Sequence, residues 1–532
     1  MLTKHHWYAL LGGTSVMSRA ITERQAGVQG GTAAPTTEPP HADPRRWLAL
    51  FVIALAQLMV VLDATIVNIA MPEATRALNI DDANRQWMLT AYTLSFGSLL
   101  LLGGRIADYV GRKKIFIVGL LGFAAASALG GLAQNEATLF AARALQGAFG
   151  ALLAPAALSL ITVTFTDIKD RAKAFGVFGA ISGAGAAIGL IMGGLLTEFA
   201  NWRWCLLVLT PIAIVTALMA RSIVRESKAA GDTKYDIPGT ILATGGLFAL
   251  VYGFVKAAPD RVTGESGWEK PITLTLFAVA AIMLIAFVFV QLKSKNPTLP
   301  MRVLLNRNRG GSYIVSVLLG AGLLGMFLFM TYYFQGTLGW SPLKAGLAYL
   351  PFSAAIIVTA GIGSNLLPRL GPLTMMATGG VLATASLVWL SRLEAGSSYA
   401  GMILPIFVMM AVGMGLIFLP LGNTALTGVS PHDAGVASAT LNATQQIGGS
   451  LGVALLNTVF ITAQTNFFKA NPPASADPAA VGQARLDAAI HGYDTGFTVS
   501  AVLLGAATVA ILLFIRNTKD QMEQGAAAAH VG

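Results

Sequence analysis

The sequence predicts an all-α membrane protein of fourteen transmembrane helices, arranged as two six-helix halves with an inserted two-helix hairpin. Three observations carry this expectation. The chain is 55% hydrophobic and only 11% charged, whereas soluble domains carry about 25% charged residues. Apolar runs of about 18 residues or more, each long enough to cross a hydrocarbon core of about 30 Å, recur along nearly the whole length. Basic residues gather on alternate connections between those runs, as they do on the cytoplasmic side of membrane proteins.

In order, the expected spans are Trp47 to Met71, Trp87 to Ile106, Ile115 to Leu132, Ala137 to Phe165, Ala174 to Phe199, Cys205 to Ile223 and Gly239 to Val255. Then follow Ile272 to Leu292, Ser312 to Phe334, Ala345 to Leu367, Leu373 to Leu390, Ala400 to Leu421, Ala434 to Ala463 and Gly496 to Ile515. The fourth and thirteenth exceed a bilayer's need and must tilt or project. Gly150-Ala-Leu-Leu-Ala-Pro155 in the fourth span is echoed by Gly415-Leu-Ile-Phe-Leu-Pro420 in the twelfth, as two halves of one fold would give. That repeat sets the expected domains: a disordered tail 1–46, a first half 47–223, a hairpin 239–292, a second half 312–515 and a tail 516–532.

With the N-terminus inside, the loops on that side and both tails hold 24 of the 35 Lys and Arg, the other side holds 10, and Arg143 is intramembrane. The net charge of +10 is therefore a topology signal rather than a nucleic-acid signal, and both termini are expected in the cytoplasm of an inner-membrane protein. Residues 1 to 46, with Pro35, Pro39, Pro40 and Pro44, lack the apolar content to fold alone, and the run Trp7 to Leu11 is too short for a secretory signal core. A single cysteine, Cys205, rules out an internal disulfide and a Cys-based metal cluster.

The chemistry concentrates where charge enters the apolar runs. Asp63 lies inside the first span, and a carboxylate there costs roughly 2.5–3.5 kcal/mol on insertion scales, so it marks a functional site or a partnered pair. Its partner is expected to be Arg143 of the fourth span: the two lie about 14 Å and about 9 Å from the same surface, within one helical turn. A structural ion pair with no transport duty is the plainer alternative. Gln57, Ala64 and Asn68 share a face from which Asp63 is rotated by about 100°, so Asp63 should point to a neighbouring helix while Gln57 and Asn68 look into a cavity. Gln146, on the Arg143 face, joins them as a binding candidate, with Tyr332, Tyr333 and Gln335 at the end of the ninth span and Asn442 and Gln446 in the thirteenth. Tyr332 and Tyr333 could equally belong to an interfacial aromatic belt.

Between the second and third spans stands Gly-Gly-Arg-Ile-Ala-Asp-Tyr-Val-Gly-Arg-Lys-Lys, residues 103 to 114. Gly104 would allow close helix approach, Gly111 a tight turn, and Asp108 a pairing with Arg112 or a helix N-terminus, while Arg112 and Lys113 anchor the cytoplasmic face. The fifth span carries Gly185, Gly189 and Gly193 at every fourth residue, then Gly194, a smooth groove for a packed helix.

With these residues the chain resembles the major facilitator superfamily, whose signature loop is the Gly, Asp, Gly-Arg-Lys pattern above. Leu62-Asp-Ala-Thr-Ile-Val-Asn-Ile-Ala-Met-Pro72, Arg143-Ala-Leu-Gln-Gly147, Trp202-Arg-Trp204 and Gln335-Gly-Thr-Leu-Gly-Trp-Ser-Pro-Leu-Lys-Ala-Gly346 are similar to motifs of its fourteen-span drug:proton antiporters. The likeness runs from about Trp47 to Arg516, with Leu190 standing where that branch has proline. It implies proton-coupled efflux of hydrophobic or cationic drugs by alternating access, with Asp63 and Arg143 as the coupling pair and no cofactor. An exporter of one endogenous metabolite and an uptake symporter are the alternatives. The expected partners are a small-molecule substrate, protons and the bilayer; a monomer is expected, and the outer loop Gln464 to Thr495 leaves open a periplasmic adaptor.

Other classes find no support. A phosphate-loop pump would need Gly-x-x-x-x-Gly-Lys-Ser/Thr, which does not occur. The six His, at 5, 6, 41, 432, 491 and 530, lie in tails or expected loops, away from any enzyme-like or metal constellation. The Gly183-Ala-Gly185 run sits in an apolar helix, not after a strand, so packing explains it better than dinucleotide binding.

Overall fold

The computed structural model describes residues 45–165, 167–228, 236–259, 265–294, 297–429 and 434–516. Residues 1–44 and 517–532 of the expected tails fall outside them, while Arg46 already belongs to the first helix. Thirteen long helices make up the described chain, and no strand occurs among the described residues. They are α1 (Arg46–Ala77), α2 (Trp87–Val110), α3 (Arg112–Gly131), α4 (Glu136–Thr164), α5 (Ile168–Phe199), α6 (Trp204–Ile223), α7 (Ile237–Ala257) and α8 (Pro271–Lys293), followed by α9 (Arg307–Thr337), α10 (Pro342–Leu390), α11 (Tyr399–Leu426), α12 (Ala434–Ala470) and α13 (Pro478–Phe514). Twelve of them, all but α5, are long and apolar enough over their described residues to cross a membrane.

Three features differ from the simplest reading of the sequence. Two expected spans run together in α10, whose 49 residues would stretch to about 73 Å at 1.5 Å per residue; the helix is broken at Gly371, where φ of 76° and ψ of 161° suit a residue without Cβ. The expected outer loop Gln464 to Thr495 is mostly helix, because α12 continues to Ala470 and α13 begins at Pro478. Hydropathy is blind to such polar extensions. Third, residues 103 to 110 are helical and the turn is Gly111 alone, with φ of 130°.

Glycines set the tightest helix contacts. A Cβ on Gly189 would overlap the Thr65 hydroxyl, and one on Gly193 would come within 2.9 Å of the Ile66 carbonyl oxygen, so the ladder seats α5 on α1. Leu190 is turned the other way, and its carbonyl oxygen lies where a Cβ on Gly346 of α10 would fall. Close approach of α2 to α4 happens at Gly103, against the Ala151 carbonyl, rather than at Gly104, whose nearest neighbour would be Pro155 Cβ at 3.5 Å.

The helices before residue 228 meet those after residue 300 mainly at the end that carries Asp82. There Gln335 Nε2 donates to Ile69 O at 2.9 Å, the Leu343 N–H donates to Glu198 at 3.0 Å, and Thr93 and Ser450 share a hydrogen bond of 2.7 Å. α7 and α8 pack together, and α7 leans on α2 and α12. Exposed Ile272, Ile282, Ile285, Phe289 and Leu292 give α8 an apolar outer face suited to lipid. Asp236 caps α7: burial pushes its carboxyl up, but hydrogen bonds from Gln291, the Gly239 N–H and Thr298 outweigh burial and hold it below the usual carboxylate range.

Replacing Gly189 with Leu forces α1 and α5 apart, and overpacking of this kind costs about 1–3 kcal/mol or more. Transport measured at equal membrane expression should be lost in Gly189→Leu and kept in Gly361→Leu, where a Cβ meets nothing within 4 Å. Full activity of Gly189→Leu would contradict this packing.

Candidate functional site

Asp63 and Arg143 come together in the core of the bundle, both with no exposed surface. Arg143 Nη1 donates to Asp63 Oδ1 at 2.7 Å, to Oδ2 at 2.8 Å and to Gln146 Oε1 at 2.7 Å, while Nε donates to the Met88 carbonyl at 2.8 Å. Gln146 Nε2 completes the group, donating to Asp63 Oδ1 at 3.1 Å and to Ser127 Oγ at 2.7 Å. The guanidinium also lies 4.6 Å from the centre of the Tyr92 ring.

The sequence builds this site by local rules. One helical turn separates Arg143 from Gln146 and Gly147, so all three address the same side of α4. Gly147 has no side chain, and a Cβ there would overlap the Tyr92 carbonyl; the bare helix lets α2 come close enough for the Met88 carbonyl and Tyr92 ring to reach Arg143. α1 supplies the acid, α2 a carbonyl and a ring, α3 a hydroxyl, α4 the base. Such a pair is stable only because every neighbour contributes, since desolvating two charges can cost more than their attraction returns. One donor is left over: Arg143 Nη2 has no hydrogen-bond partner among the described residues.

The other expected residues are distributed unevenly. Asn68 is buried at the junction with α9, its Nδ2 donating to Thr331 Oγ1 at 3.1 Å and to Phe327 O at 3.4 Å. Gln335 reaches back to Ile69 O, and the side-chain oxygens of both Asn68 and Gln335 have no hydrogen-bond partner among the described residues. Tyr332 shares a 3.1 Å hydrogen bond with Thr75 across the same junction, whereas Tyr333 points away, its hydroxyl donating to Glu394 O at 2.6 Å. Gln57 is half-buried on α1; Gln446 is half-buried on α12, 3.0 Å from where a Cβ on Gly97 would lie. Asn442 is exposed and bonds to its own helix at Ser438 O.

At the other end of α2, Asp108 Oδ1 accepts from Arg112 Nε at 2.9 Å and Nη2 at 2.8 Å. Glu226, after α6, accepts the free N–H groups of Lys113 and Lys114 at the start of α3, at 3.0 and 3.1 Å, an anion at a helix N-terminus. Lys113 Nζ donates to Arg221 O. Sequence reasoning missed Glu226, Ser127 and Tyr92; only contacts distant in sequence reveal them.

A buried acid and base inside a bundle of membrane-length helices, beside a junction between two helical groups, is the arrangement of a carrier. Residues 53 to 453 match the model of the Major Facilitator Superfamily. The chain belongs to that superfamily. It is a multi-pass membrane transporter, not an enzyme, and its class of cargo is the small molecule. Over 490 residues it is 46% identical to the puromycin resistance protein pur8 of Streptomyces alboniger, a match covering 91% of this chain and 95% of that one. It is 35% identical over 418 residues to the cephamycin export protein CmcT of Amycolatopsis lactamdurans, covering 77% and 84%. Its fold matches a bacterial homologue of the human lysosomal transporter spinster, solved inward-facing and unoccupied, with a TM-score of 0.63 at 17% identity over 91% of this chain and 98% of the other.

Removing one partner of a buried pair leaves a bare charge, at a cost of about 3–5 kcal/mol, while replacing both by apolar groups is often neutral. Arg143→Met should therefore lower the thermal unfolding midpoint of the purified protein, and adding Asp63→Leu should restore it. Equal midpoints for Arg143→Met and the unchanged protein would contradict a mutually dependent pair.

Proposed function

We propose that this transporter exports hydrophobic or cationic drugs in exchange for protons by alternating access. The observation that carries the reading is the Asp63 carboxylate, fully buried yet held by groups that could release it, Arg143 and Gln146. Burial disfavours a charged carboxylate and the guanidinium favours it, so a small change in water access or in the Asp63 to Arg143 distance can load or release a proton. Neutralised Asp63 loses its hold on Arg143, whose spare Nη2 gives the freed guanidinium a second way to bond. A proton moving down 100 mV supplies about 2.3 kcal/mol, enough to drive a modest substrate gradient. The names of the resistance and export relatives support antibiotic-like cargo. Export of a single endogenous metabolite is the second reading, favoured by relatives named for one compound each.

In this reading the chain crosses the membrane fourteen times. α5 adds a crossing to the twelve apolar helices, and the Gly371 break divides α10 into two. Halves 47–223 and 312–515 then flank an inserted hairpin 239–292, and the basic Gly111 end lies in the cytoplasm together with both termini, in the inner membrane. The junction contacts at the Asp82 end support a state closed outward. Substrate would be held between the halves by Gln57, Asn68, Tyr332, Gln335, Asn442 and Gln446; Gln146 and Tyr333 are better placed to support the ion pair and the second half. Gly104, Asp108, Gly111, Arg112, Lys113 and the ladder Gly185, Gly189, Gly193 would govern the rocking of the halves. A monomer suffices for this cycle.

Asp63→Asn keeps size and hydrogen bonding but cannot carry a proton. In proteoliposomes it should still bind a cationic dye such as ethidium while losing dye-induced proton release and uphill efflux. Proton release equal to that of the unchanged protein would move the coupling elsewhere.

A further inference from the structure

A second arginine is buried where the two groups of helices meet. Arg85, in the turn before α2, is 5% exposed. Its guanidinium carbon lies 3.9 Å from the centre of the Tyr332 ring of α9 and 5.3 Å from that of Phe460 of α12. Nε donates to Asn457 Oδ1 at 3.2 Å, and the Asn457 amide donates in turn to the Asp82 carbonyl at 3.0 Å. The acid facing it is Asp82, 3.4 Å from Nη1 with its own side chain half exposed. Nη2 has no hydrogen-bond partner among the described residues. A residue of the first half is thus inserted into an aromatic cage of the second, its charge offset by ring faces, one amide and the half-exposed Asp82 carboxylate rather than by a buried one.

We propose that Arg85 is the spring-loaded latch of the gate at the Asp82 end, a positioning residue for the transport cycle. This rests on the alternating-access reading given above. Closing the gate strips water from a cation, which is costly; the Tyr332 and Phe460 faces and the Asn457 oxygen offset that cost, and a desolvated cation–π contact contributes most when water is absent. Opening the gate separates the cage from the arginine and rehydrates the charge. The two states are thereby held close in energy, so the modest bias from a substrate or a proton can move the gate. The unbonded Nη2 keeps the closed state from becoming a trap. Tyr332 on this view belongs to the latch, and its ring matters more than its hydroxyl.

Ser450, fully buried opposite Thr93, reports the gate. In Cys205→Ala protein carrying Ser450→Cys, an impermeant thiol reagent applied from the Asp82 side reads gate opening as a labelling rate. Tyr332→Leu leaves Arg85 buried without its ring and should speed labelling roughly tenfold or more, the scale of a desolvated cation–π contact. Tyr332→Phe, which keeps the ring and loses only the hydroxyl's bond to Thr75, should speed labelling by clearly less than Tyr332→Leu. The deciding comparison is Tyr332→Leu combined with Arg85→Met: with no charge to rehydrate, the acceleration should vanish. Equal acceleration with or without Arg85, or none in Tyr332→Leu, would overturn the latch. A Tyr332→Leu effect that depends on Arg85 in a protein whose labelling ignores an imposed proton gradient would fault the proposed function and leave the latch standing.

Discussion

Everything in this structure depends on keeping a charge out of water without leaving it alone. Asp63 and Arg143 have no exposed surface, and a carboxylate and a guanidinium in hydrocarbon survive only if their neighbours replace the water they lost. Four helices do that together. The absence of a side chain at Gly147 brings α2 against α4, the Gly189 and Gly193 ladder holds α1 on α5, and Gln146 ties the pair to Ser127 on α3. Packing and electrostatics are thus one constraint: a helix displaced by the width of a methyl group would strand a donor or an acceptor.

Arg143 and Arg85 are compensated in opposite ways. Arg143 is matched by a full carboxylate within one group of helices, so its contacts can persist as a unit while that group moves. Arg85 is matched by rings and an amide that belong to the other group, contacts that must break if the groups part, while its pairing with the half-exposed Asp82 of its own turn can persist. In the proposed cycle the first would store a proton and the second would time a gate. The division between them follows from where each partner sits in the chain: 80 residues away for Asp63, 372 for Asn457.

Much of this was legible in the sequence. Long apolar runs identified the helices, because the hydrocarbon core imposes a length and a composition at once. Matching depths linked Asp63 to Arg143, and the 3.6-residue period separated Asp63 from Asn68, which the structure sends to α4 and α9 respectively. The polar ends of α12 and α13 were illegible, since helix that leaves the bilayer no longer needs to be apolar. Sequence spacing does not fix which of two adjacent glycines faces a neighbour, and here Gly103 rather than Gly104 makes the contact. Nothing in the local sequence of Arg85 announces an aromatic cage built from residues 332 and 460. Ser127 and Glu226 were hidden for the same reason.

The central claim is that the buried carboxylate of Asp63 changes protonation when cargo binds. Infrared difference spectroscopy of the purified transporter, with and without ethidium, observes that group directly through the carbonyl stretch of a protonated carboxyl. The account predicts a cargo-induced band in this region that shifts in heavy water and disappears in Asp63→Asn. A spectrum with no carboxyl band, or one unchanged by Asp63→Asn, would contradict it.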